Sequence, residues 1–168
     1  MAGFIKWKEA HETHFLAFFR VCFVLYLLLL VRLIVFKYPI PILRGIMDEW
    51  DVDMVKRGVY TANLIPFKSI RMYIRYYERI DGFDNLFGNI LAFIPFGFLL
   101  PVSFQKLKHI GFILLHSFWF SLGIELFQLV SHFGEFDVDD LILNCLGAIL
   151  GYLAYRCFMA AINSKKVT

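Results

Sequence analysis

Residues 121–151, SLGIELFQLVSHFGEFDVDDLILNCLGAILG, carry Glu125, Gln128, Asp137, Asp139, Asp140 and Asn144 between apolar runs. A carboxylate at a helix centre in a bilayer costs roughly 2.5 kcal/mol or more on insertion scales. A chain that keeps such groups pairs them or uses them. Two carboxylates in a poorly hydrated layer cannot both ionise cheaply. Either a cation such as Arg32 neutralises one, or one holds its proton beside an ionised neighbour. The second arrangement suits general acid–base work or proton movement, which makes Glu125 and Asp140 the candidate catalytic residues. The competing role is a polar network that keeps helices in register.

Spacing supports convergence. Ser121, Glu125, Gln128 and His132 follow an i, i+4, i+7, i+11 stripe, and Asp140, Asn144, Gly147 and Gly151 repeat it on the next apolar segment. Asn85 and Asn89 share a face on an earlier segment. Gly147 and Gly151 form a small-xxx-small pair that admits a neighbouring backbone, with the helix carrying Glu125 as the expected partner. Asp137 and Asp139 open a helix and read equally as N-caps. His132, at the rim, reads as an interfacial residue. No His, Cys and carboxylate set has metal-ligand spacing, although Glu125, Asp137 and Asp140 could in principle hold a hard cation. Cys22, Cys145 and Cys157 lie in apolar segments and read as small buried hydrophobes. No cofactor is implied.

The elements that must position these residues are membrane helices. Of 168 residues 60% are hydrophobic and 18% charged, and mean hydropathy is +0.66, so the chain is too apolar for an ordinary soluble domain. It is one domain over 1–168. The fold class is an all-α membrane protein with four transmembrane helices, over 15–36, 87–104, 110–131 and 138–161. Residues 1–14 read as a polar tail, and Pro39 and Pro41 stop the first span. Pro95 should kink the second, because it cannot donate to the Leu91 carbonyl. Residues 38–84 form a long connection. In its second half Phe67, Ile70, Tyr73, Ile74, Tyr77 and Ile80 recur at helical spacing, with Lys68, Arg71, Arg75 and Arg79 mainly opposite. That is an amphipathic helix, either lying among headgroups or packed over the bundle with a solvated basic side.

Four spans place both termini on one side. Lys6, Lys8, Lys106, Lys108, Lys165 and Lys166 then share a compartment, which the positive-inside rule assigns to the cytoplasm. Arg32, Asn85, Asn89, Ser121, Glu125, Gln128, Asp137, Asp139, Asp140 and Asn144 fall in the opposite, outer layer, with Glu125 and Asn144 about 9 Å down. A net charge of +3, without a basic block, gives no reason to invoke nucleic acid.

Four ordered blocks resemble the VanZ-like family: Asn63 with the following Leu-Ile-Pro-Phe; Asn89 with Pro95 and Gly97; Ser121 with Glu125 and Gln128; and Phe136 through Gly147. The chain departs from that pattern at Glu135, where the family often has a basic residue. The resemblance implies a multi-pass protein of the bacterial cell membrane, associated with low-level resistance to the lipoglycopeptide teicoplanin. The leading expectation is therefore a non-catalytic envelope protein that binds a lipid-linked molecule or acyl-tailed antibiotic at the outer leaflet, with Lys68, Arg71, Arg75 and Arg79 taking an anionic headgroup. The alternatives are an intramembrane enzyme using Glu125 and Asp140 on a lipid headgroup, and a proton-coupled transporter or flippase. Four helices make a small conduit, so the transporter reading brings a homo-oligomer with it.

Overall fold

The computed structural model describes residues 2–76 and 82–164, with side chains over 13–76 and 85–164. Seven α-helices follow one another: α1 (Ala2–Ile34), α2 (Ile40–Asp48), α3 (Val52–Thr61), α4 (Lys68–Arg75), α5 (Gly82–Ser103), α6 (Ile110–Ser131) and α7 (Val138–Ser164). A short 3-10 turn, Gln105–Leu107, joins α5 to α6. Four helical stretches are long and apolar enough to cross a bilayer: Thr13–Ile34, Asn85–Ser103, Ile110–Ser131 and Val138–Ser164.

The third span matches its expected bounds, and the others differ at their ends. Residues 2–12 continue α1 instead of forming a separate polar tail. Lys6, Lys8, Glu9 and Ala10 are good helix formers, so polarity ends the membrane stretch without ending the helix. Pro95 and Pro101 both sit inside the continuous helix α5.

The long connection holds two helices that its mixed charges conceal. Pro39 precedes α2 and Pro41 lies in its first turn, where a missing N–H costs little. Asp51 caps α3 by accepting from the Met54 amide at 2.6 Å. Helix α3 and the link that precedes it are tied to the end of α6. The Trp50 indole donates to the Val130 carbonyl at 2.8 Å, and Gly58 lies so close that a Cβ would stand 2.9 Å from the Leu129 oxygen. His132 ends α6 in the left-handed region at φ 60°, with Nε2 2.5 Å from the Met54 carbonyl. The expected amphipathic helix over 67–80 appears as α4, and Tyr77, Arg79 and Ile80 lie outside the described residues, as do Lys165 and Lys166.

The centre of the bundle is the contact between α5 and α7. A Cβ at Gly97 would stand 1.9 Å from the Ala148 oxygen. One at Gly147 would stand 2.2 Å from the Ile90 oxygen, and one at Gly151 1.9 Å from the Ile94 oxygen. The small-xxx-small pair therefore packs on α5, which corrects the expectation that α6 is its partner. The reason is reciprocity: α5 offers a glycine of its own at the crossing, so both backbones can approach. Helix α1 lies against another face of α5. Phe23 meets Phe96 edge-on at 5.6 Å, Tyr26 donates to the Ala92 carbonyl at 2.6 Å, and the Ser103 hydroxyl donates to the Phe19 carbonyl at 3.0 Å. Helix α6 meets α7 through small polar residues, with Asn144 Nδ2 donating to Ser121 Oγ at 2.8 Å.

Gly97→Ala and Gly151→Ala should each destabilise the detergent-solubilised protein by about 1–3 kcal/mol, because the added methyl overlaps backbone atoms that cannot step aside. Gly123→Ala should be neutral or mildly stabilising, since a Cβ there meets nothing within 4 Å. Thermal unfolding of the three variants in one detergent distinguishes them.

Candidate functional site

The polar residues gather where α6 ends and α7 begins. There the chain before α4 runs beside the chain before α7. The Asn63 amide donates to the Phe136 carbonyl at 2.8 Å and the Val138 amide to the Asn63 carbonyl at 3.0 Å, a single parallel bridge. Side chains reinforce it. Asn63 Nδ2 donates to Asp137 Oδ1 at 2.8 Å and to Ser69 Oγ at 3.0 Å, and the Ser69 hydroxyl donates to Asp137 Oδ2. Asp137 Oδ1 also accepts the Asp139 amide at 2.8 Å, so Asp137 does cap α7 while it clasps the incoming loop.

Asp139 does something its position does not announce. Helix α4 starts after Phe67, which adopts φ 65° and has no side chain able to cap. Its free amides turn instead to the Asp139 carboxylate, which accepts from Phe67 at 2.5 Å, Ser69 at 2.7 Å and Ile70 at 3.1 Å. Asp139 is 0% exposed. A carboxylate on α7 thus caps α4 from across the fold and gains from the positive end of its dipole. The N-cap expectation for Asp139 is corrected in its target: the helix it caps is α4.

Glu125 is 1% exposed, and its Oε2 accepts the Asp137 amide at 2.9 Å. It thereby supports the clasp from below. Asn144 lies deeper, bonded to Ser121, and its Oδ1 is buried without a partner. Gln128 points elsewhere: its Nε2 donates to the Ile34 carbonyl at 3.3 Å, which fastens α6 to the end of α1. Arg32 is not part of the cluster. It is exposed and donates to the Phe36 carbonyl at the end of its own helix. The cation whose field reaches both Glu125 and Asp140 is Lys37, which the first turn beyond α1 brings over the bundle end.

Above the clasp lies a cleft of about 510 Å³. Asp140 borders it, with Lys37, Lys68, Tyr73, Asn85 and Glu135. Asn89 hydrogen-bonds the Asp140 side chain from α5. Burial pushes the Tyr73 phenol up to about 12, and Asp140, Asp137, Asp139 and Glu135 add to the effect, so at neutral pH it is a hydrogen-bond donor. Of the two expected acid–base residues, only Asp140 reaches the cleft. Among the described residues no three His, Cys, Asp or Glu side chains are grouped so that they could hold a metal ion.

The basic residues of α4 divide. Lys68 borders the cleft, while Lys68, Arg71 and Arg75 also line a shallow depression of about 640 Å³ with Ile65 and Ile74. Arg71 Nε donates to the Phe67 carbonyl at 3.0 Å. Arg79 lies outside the described residues. Sequence reasoning missed Lys37, Ser69 and Tyr73 as members of the site. The available signal for Ser69 and Tyr73 was their place on the inner face of α4.

Asp139→Ala should cost about 2 kcal/mol, the loss of a cap together with three amides left without a partner. Proteolysis should then cut first within residues 63–76, while the spans stay protected. Equal protection of that segment in wild type and variant would show that α4 does not depend on Asp139.

Residues 23–159 match the family described as VanZ/LLP1. Protein VanZ of Enterococcus faecium is 31% identical over 145 residues, covering 85% of this chain and 76% of that protein. No solved structure matches. The matched region enters all four spans and takes in both sides of the Asn63–Asp137 bridge, so the likeness extends to the architecture that builds the cleft, and this four-span membrane protein belongs to the VanZ/LLP1 family.

Proposed function

We propose that the protein contributes to glycopeptide resistance, teicoplanin above all, by binding a lipid-linked molecule in the cleft at the outer leaflet. The observation that carries this reading is the cleft itself, which presents opposite charges that the fold does not pair with each other. Lys37 and Lys68 stand at its border with Glu135 and Asp140, and the ion pairs among the described residues, Lys56–Asp53 and Arg57–Asp51, lie elsewhere, on and before α3. A phosphate-bearing head can take the two amines, which are strong donors to phosphate oxygens. Asp140, Glu135 and the Tyr73 phenol select what else the head carries.

Charge distribution supports the outer assignment. Lys106 and Lys108 occupy the short connection between α5 and α6, at the end of the bundle opposite the clasp. Short basic connections stay cytoplasmic. Around α4 the exposed side chains of Leu64, Ile65, Phe67 and Ile74 flank Lys68, Arg71 and Arg75, a composition suited to the headgroup layer.

A second reading, an intramembrane enzyme, draws on Asp140, which faces the cleft beside a protonated phenol. It is the weaker reading because Glu125, the other half of the acid–base pair, is committed to the Asp137 amide and does not border the cleft.

Expression in a sensitive Gram-positive host, at matched membrane levels, tests both. Wild type should raise the tolerated teicoplanin concentration and leave vancomycin unchanged. Lys37→Gln and Asp140→Asn should each weaken protection, by about tenfold in affinity if one charge-assisted hydrogen bond is lost. Glu125→Gln should retain it, because an amide oxygen can still accept from Asp137. Complete loss in both Asp140→Asn and Glu125→Gln, with binding intact, would transfer the site to the enzyme reading. No protection by wild type would sink the resistance reading.

A further inference from the structure

We infer that the seam between α1 and α6 is a slot for one acyl chain of a phosphate-headed lipid whose head lies in the cleft, an inference that rests on the cleft-binding reading. Both helices pack on α5, and between them lie two cavities of about 430 and 380 Å³. The two share Trp119 and Phe120, so they form one seam divided by those rings. Phe23, Leu27 and Leu100 line its lower part, and Val31, Val35 and Phe127 its upper part. His116 is the polar side chain on its border, and its Nδ1 is engaged with the Phe112 carbonyl at 2.7 Å.

Length fits a chain that enters from one face. From Phe23 to Val35 the seam follows α1 for roughly 18 Å at 1.5 Å per residue. One leaflet of hydrocarbon is about 15 Å, half of a ~30 Å core. The upper end is where an acyl chain must become a head. Phe36 borders the seam there, against Phe133 at 5.9 Å and Phe127 at 6.5 Å, and the next residue, Lys37, borders the cleft. A lipid with its tail in the seam therefore presents its phosphate to Lys37.

Gly123 bears on the width of the seam. Gly97, Gly147 and Gly151 are each required by a backbone pressed against them, but a Cβ at Gly123 would meet nothing within 4 Å, as at Gly45 and Gly88, which do not line the seam. No protein neighbour demands a glycine there, yet Gly123 lines the seam. What its missing side chain leaves free is the width of the slot beside Trp119.

The test uses the full protein in nanodiscs of digalactosyldiacylglycerol, a neutral bilayer lipid without phosphate, with a lysophosphatidylethanolamine that carries a photoactivatable diazirine at mid-chain. Cross-links located by mass spectrometry should concentrate on residues 115–124 of α6 and fall when unlabelled lysophosphatidylethanolamine competes. Gly123→Leu should reduce that labelling about tenfold while folding normally, since leucine is the better helix former. Lys37→Gln should raise the competitor concentration needed by a similar factor. Labelling spread evenly over lipid-facing Leu25, Leu126 and Leu153, or unchanged by Gly123→Leu, means bulk lipid only and overturns the proposal. Seam labelling that Gly123→Leu removes but Lys37→Gln leaves untouched overturns the join between tail and head. A head-labelled probe that reaches Lys37 while the seam stays unlabelled overturns the slot and leaves the cleft reading standing.

Discussion

The arrangement hangs on one carboxylate that joins no ion pair among the described residues. Asp139 is buried and holds three backbone amides at the start of α4. Burying a charge is expensive, and pairing it with an arginine would bury a second one. Aligned amides and the positive end of a helix stabilise it without importing another charge. The cost of the arrangement is geometric. The amides must converge, which is why Phe67 adopts φ 65° and the chain turns sharply into α4. That turn sets the direction of α4 and carries Lys68 and Tyr73 over the cleft. Asp137 and Asn63 then lock the approach from the other side.

Packing below the clasp is uneven, and the unevenness has a consequence. On one side α5 and α7 press backbone to backbone through Gly97, Gly147 and Gly151. Close approach of this kind replaces the hydrophobic drive that a bilayer cannot supply between helices. On its other faces α5 meets α1 and α6 through large rings, Phe93, Phe96 and Phe120 among them. Bulky side chains keep α1 and α6 apart, and the seam is the space left between them. Close packing at the centre and an open groove at the edge thus come from one helix presenting glycine on one face and phenylalanine on another.

Much of this was legible in the chain. Runs of apolar residues give the four spans, because length and hydropathy are local properties. The stripe Ser121, Glu125 on one helix and the stripe Asp140, Asn144 on the next meet in the structure through the Ser121–Asn144 bond. Partners were harder to read. Periodicity says which residues share a face and not which helix that face meets, so Gly147 and Gly151 were assigned to α6 when α5 takes them. Arg32 is the obvious cation by proximity in a span, but its guanidinium donates to the Phe36 carbonyl just past its own helix, and Lys37 borders the cleft because the chain turns after Ile34. A cap supplied from a distant helix, as Asp139 supplies α4, leaves no local pattern to read.

The residues that carry the family resemblance and the residues that border the cleft are largely different sets. Apart from the unpartnered Oδ1 of Asn144, the side chains of Asn63, Glu125, Asp137, Asp139 and Asn144 bond to each other, to Ser69 and Ser121, or to backbone amides. Such groups fix where helices end and which loop lies on which. The cleft is bordered by Lys37, Lys68, Tyr73 and Glu135, which lie outside the family blocks, and by Asn63, Phe136, Asp137 and Asp140, which belong to them. Glu135 stands where the family pattern often has a basic residue, beside Lys37 and Lys68 in the same cleft. None of the hydrogen bonds that build the clasp involves Glu135, so the sign of the charge there is independent of the bonds beneath it. The matched region supplies the clasp and the cleft above it, and Lys37, Lys68, Glu135 and Asp140 set the charges along that cleft's border.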